Sequence, residues 1–190
     1  MPAMTRTPPR EATYDDLLAL PEHVVGEIVD GELIVSPRPG PVHALAASAI
    51  GEELGPPFKR GRGGPGGWVI LDEPELHLGR DVLVPDVAGW RRERMPEVPI
   101  DQPYFTLATD WVCEVLSPST ARLDRTRKLA AYAREQVGHV WFVDGPAQTL
   151  EVLRLDGDTY RIVLTAAAAE RVRAEPFDAI ELDLAILWQR

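Results

Sequence analysis

Cysteine is nearly absent from this 190-residue chain, with Cys113 as the only one. That excludes an internal disulfide framework and a cysteine-based zinc site within one chain, and leaves Cys113 as a small buried residue beside Glu114. Lysine is almost as scarce: of 20 basic residues only Lys59 and Lys128 are lysines. A lysine in such a chain marks a place where a compact ammonium on a flexible stem reaches an oxygen that a planar guanidinium would fork or stack against. No run of about 18 apolar residues occurs, which argues against a membrane span. The start, Met1-Pro2-Ala3-Met4-Thr5-Arg6, lacks the apolar stretch of a secretory signal, so the expected location is the cytoplasm. Positive charge is lacking as well: a net charge of −10 opposes a broad, sequence-independent grip on nucleic acid. His23, His43, His77 and His139 lie far apart without metal-ligand spacing, and His43 reads as a helix-terminal polar residue. The glycine-rich stretch 61–67 lacks the Lys-Ser/Thr ending of a phosphate-binding loop.

What is present describes a globular protein. Hydrophobic residues make up 45% and charged residues 26%, with five tryptophans that read first as core or rim. The length suits one domain, expected over 13–190 behind a flexible N-terminal arm at 1–12 that carries three prolines. The arginines cluster at 59–62, 91–94 and 122–128, so a local basic groove on an acidic body is compatible with the composition, as are solvated loop charges.

The pattern predicts a short helix from a Thr13 cap to Leu20, then a hairpin, 27–35, around Asp30-Gly31. A helix is expected over 42–54, with Val42, Leu45, Ala46, Ala49, Ile50 and Leu54 inward and Pro56-Pro57 as its stop. Strands follow at 68–71, 75–78, 82–90 and 110–116. A helix at 124–135 turns Leu129, Tyr132 and Ala133 inward, and strands return at 139–143, 150–155 and 160–164, while 177–188 is ambiguous. Strands interleaved with helices imply an α/β fold, a sheet flanked by helices.

Two carboxylates fall in the apolar strands, Asp86 in Val84-Pro85-Asp86-Val87 and Glu114 in Val112-Cys113-Glu114-Val115-Leu116. A buried ionised carboxylate is costly without a cation or hydrogen bonds to compensate it. Mg²⁺ is an economical compensator, because it keeps several waters and needs only one or two protein carboxylates plus substrate phosphate. Such a cation serves phosphodiester hydrolysis, where a water must be oriented and charge neutralised. Strand alternation places Glu114 on one face with Val112 and Leu116, so a lysine cannot follow it on its own strand. Lys128, four residues after Asp124 and four before Tyr132, can point from the helix toward the sheet; it reads equally as a surface lysine paired with Asp124.

These residues, with Glu27, Asp30-Gly31-Glu32-Leu33, His43, Ser117-Pro118-Ser119 and Trp141-Phe142-Val143-Asp144, make the chain resemble the Uma-two family of restriction endonucleases within the PD-(D/E)XK nuclease superfamily. The resemblance spans about 14–164. It implies a restriction-endonuclease-like mixed β-sheet flanked by helices and an endonuclease that hydrolyses DNA phosphodiester bonds. Asp86 and Glu114 would ligate Mg²⁺, with Mn²⁺ as a substitute; Lys128 would stabilise the scissile phosphate or orient water, and Glu27 would be an auxiliary acid. Thr109, where the family favours proline, and His139-Val140, where it favours an acidic-aromatic pair, depart from the pattern without touching Asp86, Glu114 or Lys128. DNA is the expected partner, and cutting both strands favours a two-fold homodimer. The alternatives are a non-catalytic nuclease-fold binding or regulatory module, and a structural ion-pair cluster.

Overall fold

The computed structural model describes residues 10–189. The expected arm at 1–12 falls mostly outside them; at its end Ala12 donates its N–H to Gly31 O at 2.8 Å. Among the described residues no helix is long and apolar enough to cross a membrane.

The first elements follow the local chemistry. Helix α1, Tyr14–Leu18, begins where the Asp16 carboxylate accepts the Thr13 N–H at 2.7 Å. Strands β1, Val24–Val29, and β2, Glu32–Pro37, pair antiparallel through Asp30 and Gly31, whose φ values of 54° and 76° are those a two-residue primed turn requires.

Helix α2, Pro41–Leu54, buries Ala46, Ile50 and Leu54, but Val42 and Leu45 are about half exposed, against expectation. At 100° per residue the inward stripe is 43, 46, 47, 50 and 54, and Val42 and Leu45 project off its flanks. Nor do Pro56 and Pro57 stop the helix. It widens into a π turn, Gly55–Lys59, closed by Arg60 N–H to Gly55 O at 3.0 Å. Proline brings no N–H and its ring crowds a carbonyl one turn back, and the wider turn accommodates both defects.

The strand expected over 82–90 is two strands in two sheets. After β3, Trp68–Asp72, and β4, Leu76–Leu78, strand β5, Asp81–Leu83, completes a four-stranded sheet in the order β2-β1-β5-β4. Strand β6, Val87–Arg91, instead joins a six-stranded sheet with β7, Trp111–Leu116, β8, His139–Asp144, β9, Thr149–Asp156, and β10, Thr159–Ala167, in the order β10-β9-β8-β7-β6-β3. The chain changes sheets at Val84-Pro85-Asp86, where Pro85 has no N–H to continue a ladder.

The larger sheet is mixed: β7 and β8 run parallel and its other pairs antiparallel. A parallel pair needs a crossover, here the helical segment α3, Ala121–Leu123, a π turn, Asp124–Lys128, and α4, Leu129–Arg134. Two cores result. On one face Cys113 and Val115 pack with α2, Trp68, Trp111, Trp141 and the tail residues Phe177, Leu184 and Leu187. On the other Val112 and Leu116 pack with Ala131 and Tyr132 of α4 and with Val29, Leu76 and Leu83 of the smaller sheet. The tail resolves into a short strand pair, β11, Arg171–Val172, with β12, Leu182–Asp183, and a 3₁₀ turn, Leu184–Trp188.

Candidate metal and phosphate site

Strand β7 is buried at all six positions, so Glu114, 3% exposed, is delivered into the interior on the α4 side. The crossover segment lies over that face and carries Lys128, 2% exposed. Lys128 is therefore no surface lysine. Its Nζ stands 2.9 Å from Glu114 Oε1, 3.0 Å from Glu27 Oε1 and 3.6 Å from Asp124 Oδ1. One turn further along, the Tyr132 hydroxyl donates to the same Glu114 oxygen. Residues 124, 128 and 132 form one buried stripe even though a π turn interrupts the helix.

Asp86 reaches this group differently from the way its sequence context suggests. It sits in the break between the two sheets, 14% exposed, and its Oδ2 accepts the Val115 N–H at 2.7 Å. His43 Nε2 lies 3.3 Å from the same oxygen. The break is held from the other side by Glu27, whose Oε1 accepts the Val84 N–H at 2.8 Å. Glu27, His43, Asp86, Glu114, Asp124 and Lys128 all line one cavity of about 200 Å³.

The electrostatics of this cavity are set by desolvation and by an excess of acids. Burial pushes the Glu114 carboxyl well above its usual range; Lys128 pulls it back, and Asp124, Asp86 and Glu27 add to the rise. Burial also raises Asp124 against the pull of Lys128. For Lys128 burial opposes the charge, but the surrounding Glu114, Glu27, Tyr132 and Asp124 outweigh it and hold the ammonium firmly protonated. Burial likewise disfavours a charged His43, and Asp86 overcomes it and raises the imidazole above its ordinary value.

Among the described residues no three His, Cys, Asp or Glu side chains form a ready-made cation cage. A cation that retains water does not need one. The hydrogen bonds and the Lys128 ion pair identified at Glu114 meet Oε1, and the contacts of Asp86 meet Oδ2, so among the described residues each carboxylate keeps a second oxygen outside these contacts. Four carboxylates around one ammonium and one imidazole leave negative charge that a divalent cation would balance. The donor set of hard oxygens fits Mg²⁺ or Mn²⁺.

The structure thus brings together all four residues expected at the site, Glu27, Asp86, Glu114 and Lys128. It adds Asp124, Tyr132 and His43 to the same network. His43 was legible in principle, since it shares a helix stripe with Ala46, Ile50 and Leu54. The arginines expected as a basic groove are partly neutralised: Arg94 pairs with Asp110, Arg125 with Glu151, and Arg127 with Glu32 and Asp30. Trp90 offers no stacking platform, being buried with its Nε1 donating to Leu107 O at 2.9 Å. His139 faces Glu175 at 3.3 Å, and the Thr109 hydroxyl is buried without a hydrogen-bond partner.

Comparison with known proteins matches this architecture. The model of the Uma2 family, described as "Putative restriction endonuclease", matches residues 13–186. A crystal structure of a protein titled a putative nuclease, from Anabaena variabilis, superposes with a TM-score of 0.73 at 23% identity, covering 93% of this chain and 97% of that one. At that identity the likeness establishes the fold, a mixed α/β sheet flanked by helices. No curated protein matches the chain.

Proposed function

The chain belongs to the Uma2 family of restriction-endonuclease-like proteins, and from that membership we propose that it is a Mg²⁺-dependent endonuclease of PD-(D/E)XK type, hydrolysing phosphodiester bonds in DNA. The observation that carries this reading is the convergence of Glu27, Asp86, Glu114 and Asp124 on one cavity around a single buried ammonium, Lys128.

In this reading Asp86 and Glu114 hold the cation, and Mn²⁺ substitutes for Mg²⁺. Bound there, the cation supplies neutralisation of phosphoryl charge and a more acidic water. The protein's own groups do the positioning. The Val115 N–H and His43 orient Asp86, and the Tyr132 hydroxyl orients Glu114. Lys128, tethered between Glu27 and Glu114, presents its ammonium to a phosphoryl oxygen or to the attacking water and stabilises charge as the phosphorane-like state forms. Glu27 holds Lys128 in register with the sheet break through Val84. With one such cavity per chain, cutting both strands of a duplex calls for two copies, and a two-fold dimer is the simplest arrangement.

A second reading, a non-catalytic nuclease-fold module, is favoured by one observation: Glu114 Oε1 already has both Tyr132 and Lys128 as partners. Calorimetric titration with Mn²⁺, together with nicking of supercoiled plasmid, separates the two. The endonuclease reading expects saturable Mn²⁺ binding and cleavage, both lost in Asp86→Ala and in Glu114→Ala. Wild-type protein that binds no divalent cation, or cleavage that survives the double substitution, overturns it.

A further inference from the structure

Next to the acidic cavity lies a second concavity of about 560 Å³, large enough for a nucleotide-sized group. It shares Ser36, Pro37 and Ser119 with the cavity, so the two surfaces are contiguous. One wall is β2, with Ile34 and the half-exposed Val35; the other is the start of the crossover segment, with Arg122 and Thr126.

The charges on these walls are unequal in a telling way. Arg127 and Glu32, which face the groove, are bound to each other at 2.7 Å. Along the same segment Arg125 is held by Glu151 and Arg134 by Asp81. Arg122 is exposed and, among the described residues, has no acid partner, in a chain with 30 acidic residues against 20 basic ones. Arg38, which lines the cavity itself, also lacks an acid partner among the described residues. It is oriented by the Glu22 carbonyl through Nε at 3.0 Å and a second guanidinium nitrogen at 2.8 Å. Where acids are in surplus, two unneutralised guanidinium groups on one continuous surface point to an anionic ligand from outside the chain. A guanidinium fork matches a phosphate.

We propose that this groove seats the DNA backbone next to the scissile bond, with Arg122 gripping the adjacent phosphate and the Ile34–Val35 strip lying against the sugar. Arg38 holds a phosphate at the cavity wall. The strand then runs from the acidic cavity along β2 and the crossover segment, where an acidic body meets a polyanionic substrate through guanidinium groups that no acid among the described residues neutralises. The proposal rests on the endonuclease reading for its substrate class.

The test is fluorescence anisotropy of a labelled 12-base-pair duplex in Ca²⁺ buffer over a range of salt, using the full chain. Arg122→Ala is expected to weaken binding about tenfold and to lower the slope of log K against log salt by about 1, the signature of one lost phosphate contact. Arg122→Lys should restore the slope. Val35→Asp, which leaves Arg122 in place and puts a negative charge in the groove, should also weaken binding. Unchanged melting temperatures confirm folding of these surface variants. If Arg122→Ala and Val35→Asp bind like wild type while plasmid is nicked, the groove is wrong and the endonuclease reading stands. If binding depends on Arg122 but no nicking occurs with any divalent metal, the groove stands and the catalytic reading falls. Wild-type protein without DNA affinity overturns the groove.

Discussion

Lys128 Nζ lies 2.9 Å from Glu114 Oε1 with both side chains all but removed from solvent, at 3% and 4% exposure. An ion pair so placed is poorly described as a stabilising contact, because taking both charges out of water consumes most of what their attraction returns. Its members nonetheless depend on each other. Lys128→Met is expected to destabilise the fold by about 3–5 kcal/mol, the range for stranding a buried charge. Adding Glu114→Gln should recover part of that loss. Urea unfolding of the two single variants and the double variant measures the coupling, and strictly additive effects would show that the pair is not a unit.

Divalent metal should stabilise the protein. A site that binds Mn²⁺ only in the folded state adds about 2.7 kcal/mol at a hundredfold excess over Kd, which in a chain of this size corresponds to a rise in Tm of roughly 5–10 °C. The rise should vanish in Asp86→Ala and in Glu114→Ala. A purely structural ion-pair cluster would show no such rise in the wild type, so calorimetric scans with and without Mn²⁺ decide between them.

Acid should help the metal-free protein over a window where many proteins are indifferent. Burial raises Glu114 and Asp124 above their unfolded values, so the folded state binds these protons more tightly. Their contribution is complete below the ordinary carboxylate range, about pH 4, and is lost as pH rises through the elevated folded values. Lys128, held charged, titrates on the alkaline side and does not enter this window; His43, raised by Asp86, adds to the fall and His139, lowered by burial, opposes it, so the comparison with Glu114→Gln isolates the carboxyl. Urea midpoints between pH 5 and 8 should therefore fall with rising pH in wild type and fall less in Glu114→Gln. Parallel profiles would contradict the shift.

Tyr132→Phe removes the hydroxyl that donates to Glu114 Oε1 while keeping the ring in the core. Leaving a buried carboxylate with one partner fewer is expected to cost about 1–3 kcal/mol, read as a lower urea midpoint with an unchanged m-value. A midpoint equal to wild type would mean that the oxygen finds another donor.

Much of this fold was readable along the chain because its signals are local. Asp30-Gly31 dictates a primed turn whatever surrounds it, and the run 111–116, apolar but for Glu114, suits a strand covered on both faces. The alternation that put Glu114 opposite Cys113 and Val115 holds in three dimensions, as their separate cores show. Other features were decided by competition between non-local terms. Pro56-Pro57 reads as a stop, yet Phe58, buried against Phe177, keeps the chain coiled through a π turn. Val42 and Leu45 are apolar at nearly helical spacing, but α2 settles on the stripe that contains His43 and Ile50, and they remain at the surface.

The site divides along the same line. Residue types and spacing were enough to single out Asp86, Glu114 and Lys128, because acids in apolar runs and one of two lysines in an arginine-rich chain are chemically conspicuous, whereas Glu27 came only with the family resemblance. Their arrangement belongs to the tertiary structure alone. Asp86 is not a strand residue; it stands where the chain leaves one sheet for another, and the Val115 N–H and His43 that orient it come from elements 29 and 43 residues away. Lys128 becomes a buried cation only because a crossover between parallel β7 and β8 must lie over the face that carries Glu114. A sequence encodes the groups and their local periods, whereas burial, and with it the strength of every charge in this cavity, is set by which elements close over one another.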